Sequence, residues 1–217
     1  MPPGLERAAA RARSAGRRTG RARPNPRVAR DGWPRNGRGA KSRYDAPVKL
    51  CIVSDSHDRA DPLAEAVRRS AAEGAAAVIH CGDIIGTQTL RAAMSVGLPL
   101  HVIHGNNLGD PVSLSRWARD SGGKLCYHGA DARLDLGRKR VFVVHYPEYG
   151  HAMACTGDWD LVCCGHSHVA GIERVANVKG AATWLVNPGT VAGLAAPATW
   201  IFGDLAEMRF DIRSLDA

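Results

Sequence analysis

Long apolar runs are missing from this sequence. No stretch is long enough to span a membrane, and no apolar segment follows the basic N-terminal residues as a secretory signal would require. We therefore expect a cytoplasmic protein without a membrane partner. Acidic residues are also scarce in residues 1–44, where Glu6 and Asp31 stand against twelve Arg and one Lys, a net charge of +11. Because the whole chain has a formal net charge of +8, residues 45–217 carry −3, so the basic character belongs to the N-terminal segment.

Residues 1–44 also have almost no large aliphatic side chains and consist mainly of Arg, Ala, Gly and Pro. Such a segment cannot bury enough apolar surface to offset its conformational entropy. We predict that residues 1–44 form a disordered Arg-rich tail. Residues 45–217 are then predicted to form one folded domain, which is long enough to build its own hydrophobic core.

Four of the six cysteines lie inside or at the ends of apolar runs: Cys51, Cys81, Cys163 and Cys164. This placement is typical of buried thiols in a reducing cytosol. Cys163 and Cys164 are adjacent, so on a strand they would point to opposite faces. They are therefore a poor pair for a disulfide or for a shared metal ion.

Hydrophobic periodicity predicts an α/β fold from residue 48 onward. Short apolar runs typical of buried strands alternate with segments of helical spacing, with strands at 48–53, 75–80 and 100–104 and helices at 61–74, 87–95 and 112–121. Thr87 is a candidate cap for the second helix. This alternation favours a parallel sheet that is covered on both faces.

The second half of the chain is richer in strands. Strands are predicted at 140–145 and 161–164, with a short helix over 148–156 between them. Four more short runs, separated by Gly, Pro and Asn, lie at 169–175, 183–186, 199–202 and 208–212. Their spacing favours antiparallel pairing.

Polar residues follow five of the predicted strands: Asp55-Ser56-His57, Gly82-Asp83, Gly105-Asn106, His145 and Gly165-His166-Ser167-His168. In open α/β sheets, ligands bind beyond the carboxyl ends of the strands. We therefore expect these side chains to meet at one edge, with the glycines allowing a close approach of the backbone.

These carboxylate, amide and imidazole groups form a mixed oxygen and nitrogen donor set. The set suits Mn²⁺, Fe or Zn²⁺ and contains no thiolate, which argues against a structural zinc site. Seven donors are too many for one ordinary ion and suit two ions about 4 Å apart that share a carboxylate. Each motif alone is common, because Asp-x-His often ends a turn and Gly-His-x-His can be two surface histidines. Five such motifs in order, each at a strand end, favour a metal site.

Together the five motifs resemble those of the calcineurin-like metallophosphoesterase superfamily, and within it the small prokaryotic phosphodiesterases of the YfcE type. The stretch Asn187-Pro188-Gly189-Thr190 is similar to the Asn-Pro-Gly-Ser turn of those proteins. The resemblance covers residues 48–213. It implies an α/β fold arranged as a four-layer α/β/β/α sandwich of two mixed sheets with helices outside.

The resemblance assigns seven metal ligands: Asp55, His57 and His168 to one ion, Asn106, His145 and His166 to the other, and Asp83 as the bridge. Asn106, His166 and Asp83 are the catalytic residues that it implies. The cofactors would be two divalent ions, with Mn²⁺ expected first and Fe, Zn²⁺ or Ni²⁺ as alternatives. A metal-activated hydroxide would attack a small phosphate ester, more often a diester.

The sequence also departs from the superfamily pattern. Asn107 stands where many members have a His that protonates the leaving group, and Tyr146 stands where a Gly is usual. Tyr146 could stack on an aromatic ester group or close the site. His104 could orient a ligand, and His151 could reach the substrate from the loop after a ligand strand.

Two alternatives to a small-molecule phosphoesterase stay open. The chain could be a metal-binding scaffold or interaction module of the same fold without turnover. It could also be a nuclease that contacts nucleic acid through the basic tail. The scaffold hypothesis would be favoured by missing ligands, and none is missing here.

Overall fold

The structure, a computed structural model, describes residues 48–216. In chain order the helices and strands of this part are β1 (Lys49–Val53), α1 (Ala60–Ala72), β2 (Ala77–His80), α2 (Leu90–Met94), β3 (Leu100–Val102), α3 (Pro111–Asp120), β4 (Leu125–Tyr127), β5 (Asp131–Leu136), β6 (Lys139–Val144), α4 (Pro147–Cys155), β7 (Leu161–Cys163), β8 (Ala170–Ala176), β9 (Ala182–Pro188), β10 (Thr199–Asp204) and β11 (Arg209–Ser214). A single turn of 3-10 helix, Thr87–Thr89, precedes α2.

The strands form two mixed sheets. The first has the order β11-β10-β1-β2-β3-β4, and the second has the order β5-β6-β7-β9-β8. Strands β1 to β4 run parallel, as the alternation of strands and helices predicts, and β10 joins β1 in the antiparallel direction. In the second sheet β6, β7 and β9 are parallel, while β5 and β8 are antiparallel strands at the two edges.

Alternating side chains of each central strand enter different cores. Leu50 and Ile52 of β1 pack into the core between the two sheets, whereas Cys51 and Val53 pack against the helices on the outer face of the first sheet. A third core, which includes Phe142, lies between the second sheet and α4. Full burial of one such aliphatic side chain stabilises the fold by about 1.5–3 kcal/mol, so the alternation fixes which face is inside. The four-layer α/β/β/α sandwich is confirmed.

The prediction that the adjacent cysteines point to opposite faces of a strand is also confirmed. Cys163 belongs to the core between the sheets and Cys164 to the core beneath α4, on the opposite face of the sheet. All six cysteines are free thiols. Burial raises the pKa of Cys51 and of Cys164 to about 12, so neither thiol ionises near neutral pH.

Three sequence-based expectations are corrected. Strands β4 and β5 were not predicted, because β4 has three residues and β5 alternates charged side chains with small or aliphatic ones. Thr87 does not cap α2, since it lies inside the 3-10 turn, whose cap position is Gly86. Antiparallel pairing is confirmed for β8 with β9 and for β10 with β11, but β9 also pairs in parallel with β7, which was not expected.

The predicted tail, residues 1–44, and the predicted domain start at residue 45 lie outside the described residues. Within residues 48–216, no helix combines the length and the apolar character needed to cross a lipid bilayer.

Candidate metal centre

The carboxyl ends of β1, β2, β3, β6 and β7 meet at one end of the sandwich. The segments that follow these strands bring together residues that are far apart in sequence. The backbone N–H of His166, for example, donates to Oδ2 of Asp55 at 3.0 Å across 111 positions. Two groups of potential metal ligands result, in each of which the ligand atoms lie within 4.8 Å of one another: Asp55 with His57 and His168, and Asp55 with Asp83 and His145.

Five of the seven candidate ligands have left-handed backbone conformations. Their φ angles are 54° at Asp55, 41° at His57, 56° at Asp83, 66° at His166 and 59° at His168. A residue with a side chain disfavours this region, at a cost on the order of 1 kcal/mol or more per position. The sharp turns aim the side chains across the sheet ends rather than along the strands, and the sequence motifs do not reveal this conformation.

Two glycines allow the strand-end segments to approach each other closely. A Cβ atom at Gly105 would overlap the carboxylate of Asp83 and the ring of His145. A Cβ atom at Gly165 would overlap the hydroxyl of Ser54 and crowd the carboxylate of Asp55. These positions therefore require glycine because side chains of the site occupy the space.

The first ligand group surrounds one oxygen of Asp55. Nε2 of His168 lies 3.3 Å and Nε2 of His57 lies 3.7 Å from Asp55 Oδ1, and the two nitrogens are 3.2 Å apart. Asp55 Oδ1 is buried and accepts no hydrogen bond from any residue that the structure describes. An unsatisfied buried polar atom costs about 1–3 kcal/mol, and a bound cation would remove this penalty.

The second group is centred on His145. Its Nε2 lies 3.0 Å from Oδ1 of Asn106 and 3.4 Å from Oδ1 of Asp83. The ring of His166 packs edge-on against His145, with 5.2 Å between the ring centroids. Asp83 also reaches toward the first group, because its Oδ2 lies 3.8 Å from Nε2 of His57. Asp83 thus lies between His145 of the second group and His57 of the first, while Asp55 belongs to both groups.

Backbone carbonyl groups orient two of the histidines. Nδ1 of His145 donates to the carbonyl of Cys81 at 2.8 Å, and Nδ1 of His168 donates to the carbonyl of Leu194 at 3.0 Å. With the proton on Nδ1, the Nε2 lone pair of each ring points into the site, which is the arrangement common among metal-binding histidines. Sequence reasoning did not identify these two carbonyl partners, because a carbonyl has no side-chain signature.

The electrostatics of the site also favour a cation. Burial raises the pKa of Asp83, but the close contact with His145 and the hydrogen bonds from Asn107 outweigh this effect and hold the pKa well below its usual value. Burial lowers the pKa of His145, but its contacts with Asp83 and with the Cys81 carbonyl raise it overall. The carboxylate of Asp83 thus stays ionised, and its negative charge favours a cation beside His145. This buried position, with its mixed oxygen and nitrogen donors and the unpartnered Asp55 Oδ1, fits divalent metal ions.

The Asn187–Thr190 turn supports the site from behind. The Asn187 side chain donates to the carbonyl of Gly165 and to the hydroxyl of Ser167, which braces the segment carrying His166 and His168. The hydroxyl of Thr190 donates to the backbone carbonyl of Asp55 at 2.9 Å. This turn therefore positions ligand segments from both sheets.

Other residues singled out in the sequence have different surroundings. His104 pairs with the hydroxyl of Tyr127 at 2.6 Å, and His151 is exposed on α4 with Cys155 as its neighbour at 3.7 Å. Tyr146 is half-buried and packs edge-on against His166, with 4.8 Å between the ring centroids.

Comparison with known proteins agrees with the geometry. The model of the calcineurin-like phosphoesterase superfamily domain matches residues 48–207. The phosphodiesterase MJ0936 of Methanocaldococcus jannaschii is 25% identical over 152 residues, which cover 67% of this chain and 86% of that protein.

Two solved structures share the fold. One, described as a novel archaeal phosphodiesterase, has a TM-score of 0.70 at 23% identity and covers 77% of this chain and 100% of its own. The other, YfcE from E. coli, described as a phosphoesterase, has a TM-score of 0.51 at 17% identity with the same coverage. At these identities the two structures establish the fold alone.

Proposed function

This chain belongs to the calcineurin-like phosphoesterase superfamily, a family of hydrolases that act on phosphoester bonds, and from that premise we propose that it hydrolyses phosphodiesters at a centre of two divalent metal ions. The observation that carries the proposal is the position of Asp83 between His57 of one ligand group and His145 of the other. A carboxylate in that position suits a bridge between two ions.

Seven side chains would hold the two ions: Asp55, His57 and His168 for the first, Asn106, His145 and His166 for the second, and Asp83 for both. When bound, the ions would supply an activated hydroxide and polarise a phosphoryl oxygen. Mn²⁺ is our first choice, and Fe, Zn²⁺ and Ni²⁺ are compatible with the same donors.

Asn106 and His166 are the members of this set with the greatest exposure to solvent. From that position the amide of Asn106 and the ring of His166 can donate hydrogen bonds to phosphoryl oxygens. Donors fixed in advance stabilise charge that develops in the transition state more strongly than mobile water does. Asp83, which accepts two hydrogen bonds from Asn107, would fix the distance between the two ligand groups.

The preference for diesters rests on Asn107. Its backbone N–H and its side-chain Nδ2 both donate to Asp83, so the amide faces the carboxylate. An amide does not ionise near neutral pH and cannot act as a general acid, a role that contributes typically about 10²–10⁴-fold to a rate. A leaving group that needs no proton, such as an aryl or nucleoside-type group, is then favoured over a simple alkyl group. The phosphodiesterase name of the relative from Methanocaldococcus jannaschii supports the same choice.

The experiment is metal analysis of the purified protein, followed by an assay with Mn²⁺. We expect a higher kcat/KM for bis(p-nitrophenyl) phosphate than for p-nitrophenyl phosphate, and very low turnover of simple alkyl monoesters. Comparable values for aryl diesters and alkyl monoesters would contradict the diester proposal. Full activity in metal-free buffer would contradict the metal centre.

Three further proposals concern the cellular compartment and residues 1–44. Six free thiols support a reducing compartment such as the cytoplasm. The basic residues 1–44 are proposed to contact nucleic acid by phosphate neutralisation, which salt would weaken steeply. They carry no candidate ligand, so deleting them is expected to leave turnover of a small substrate unchanged.

A further inference from the structure

A largely apolar cavity of about 510 Å³ lies directly beside the candidate metal centre. His145 and Gly105 belong both to its lining and to the strand-end segments of the centre. The proposed metal centre does not need this cavity, because its ligands lie at the sheet ends. The volume is within the range of pockets that bind small organic groups.

The alternation of β6 builds the floor of the cavity. Val141 and Val143 point into the core between the sheets, so Phe142 and Val144 point to the outer face of the second sheet. Helix α4 begins at Pro147 and covers the outer face over β6, β7, β9 and β8. The cavity lies between α4 and the start of the edge strand β5 at Asp131, with Tyr149 and Met153 of α4 as one wall.

The chemistry of the lining selects for an uncharged group. Asp131 is the only carboxylate in the lining, and no Lys or Arg contributes to it within residues 48–216. A second phosphate or a carboxylate would meet the like charge of Asp131, whose ion-pair partner, Arg133, has its Nε 3.8 Å from Asp131 Oδ1 and does not belong to the lining. A neutral ring would meet apolar surface, and any N–H that it carries could donate to Asp131.

Aromatic side chains connect the cavity to the metal centre. The ring of Tyr146 packs edge to face against the ring of His166 on one side and that of Tyr149 on the other. The distances between ring centroids are 4.8 Å and 5.6 Å. Tyr149 is 63% exposed, so much of its ring is open to solvent beside the cavity. A flat aromatic group that enters the cavity would cover this exposed ring.

We propose that this cavity binds a flat, uncharged aromatic ester group of the substrate, such as an aryl ring or a nucleobase, while the phosphate of the same molecule lies at the metal centre. The inference rests on the proposed function for the position of the phosphate. To that function it adds a substrate class. Aromatic phosphate esters would bind more tightly than aliphatic ones, in addition to having the better leaving group.

Binding of two phosphonates to the Mn²⁺-loaded protein tests the proposal without turnover. Phenylphosphonate and methylphosphonate carry the same acidic group and differ only in the ring. We expect calorimetry to give an affinity for phenylphosphonate about tenfold higher or more, because the apolar lining can stack on the ring and bury it. Equal affinities would overturn the proposal.

Filling the cavity gives the matched comparison. Ala152 lines the cavity from the exposed face of α4, so Ala152→Phe is expected to abolish the preference for phenylphosphonate and to leave methylphosphonate affinity unchanged. Ala72→Phe, at an exposed position near the end of α1, is the control and should change neither affinity. Tyr149→Ala is a second variant that removes a wall, and it should reduce the preference even if Ala152→Phe does not fold.

Hydrolysis of bis(p-nitrophenyl) phosphate by the same proteins separates this proposal from the proposed function. Turnover by the wild type with equal phosphonate affinities would overturn the aromatic cavity and leave the hydrolase intact. A phenyl preference that Ala152→Phe abolishes, without diester turnover, would support the cavity and overturn the diesterase. Failure of both phosphonates to bind would overturn the cavity proposal.

Discussion

Asn107 donates two hydrogen bonds to Asp83, one from its backbone N–H to Oδ1 at 2.9 Å and one from its side-chain Nδ2 to Oδ2 at 2.6 Å. The pair joins the segment after β3 to the segment after β2. Both carboxylate oxygens are thereby fixed in the plane that faces His57 and His145. Asn107 is thus a positioning residue for the proposed bridge, in the place where the sequence resemblance implies a His.

Replacement of Asn107 by His tests whether that place can supply a proton. In Asn107→His we expect the ratio of kcat/KM for alkyl monoesters to that for aryl diesters to rise about tenfold or more, because an imidazolium can protonate a poor leaving group. Asn107→Ala is the control, since it loses the side-chain bond to Asp83 and gains no acid. It should lower both activities together, by about 10–100-fold, as loss of a group that orients a metal ligand does. An unchanged ratio in Asn107→His would contradict the assignment.

Removal of the bridging charge should affect both ions at once. Asp83→Asn keeps the shape of the side chain, so we expect an unchanged circular dichroism spectrum together with a loss of Mn²⁺-dependent hydrolysis of at least about a hundredfold. His168→Ala should lose activity in the same way. Asp135→Asn, at an exposed position of β5, is the control and should retain full activity. Wild-type metal content and turnover in Asp83→Asn would rule out the bridge.

Metal binding should stabilise the fold through Asp55. Because Oδ1 of Asp55 is buried without a hydrogen bond within the described part of the chain, we expect Mn²⁺ to raise the free energy of unfolding. The gain would be about 2.7 kcal/mol at a hundredfold excess of free ion over Kd. Chelator should reverse it, and His168→Ala should show a smaller gain. The measurement is thermal unfolding with and without the ion. Identical midpoint temperatures for the wild type would refute the stabilisation by metal.

The stability of the metal-free protein should fall at acidic pH because of His80. This residue is fully buried, and burial lowers its pKa from 6.5 to about 3. Its Nδ1 accepts a hydrogen bond from the N–H of Gly82, which a proton on that nitrogen would oppose. Between those two pKa values the unfolded chain binds a proton that the folded chain does not. The residue therefore reduces the free energy of unfolding by about 1.4 kcal/mol per pH unit as the pH falls.

His80→Gln removes the titration and is the matched comparison. Urea unfolding in the presence of chelator at several pH values between 6.5 and 4 should show the steeper loss of stability in the wild type. Parallel pH profiles for the wild type and His80→Gln would show that another group accounts for the acid sensitivity. Chelator is needed because protons compete with metal ions for the ligand histidines.

Much of the fold and of the candidate site could be predicted because the signals are local. The apolar run that forms β1 stops at Val53, and Asp55 follows at once, so one short window shows both the strand and the functional group. The order of such windows then predicts the parallel sheet. Strand β5 gave a weaker signal, because its exposed positions are charged and Ala132 is small.

Other features depend on contacts between distant residues. The parallel pairing of β9 with β7 is set by packing in the second sheet, and no residue of β9 marks it. The bond from Asn107 to Asp83 also joins two separate loops, so the sequence showed only that an acid was missing. The apolar cavity likewise lies between α4 and the start of an edge strand, an arrangement that no motif encodes.

The left-handed conformations at Asp55, His57, Asp83, His166 and His168 have a consequence for the engineering of this protein. Glycine adopts this backbone region without a steric penalty, so a library selected only for resistance to heat would enrich glycine at these positions. If the selection is made without metal ions, the enriched proteins would resist heat better and would have lost the proposed ligands. At these five positions, the substitutions that increase stability should therefore be those that decrease activity. In the core, the same substitutions should be tolerated for both properties. A designer who follows a stability score at this end of the sandwich would remove the function first.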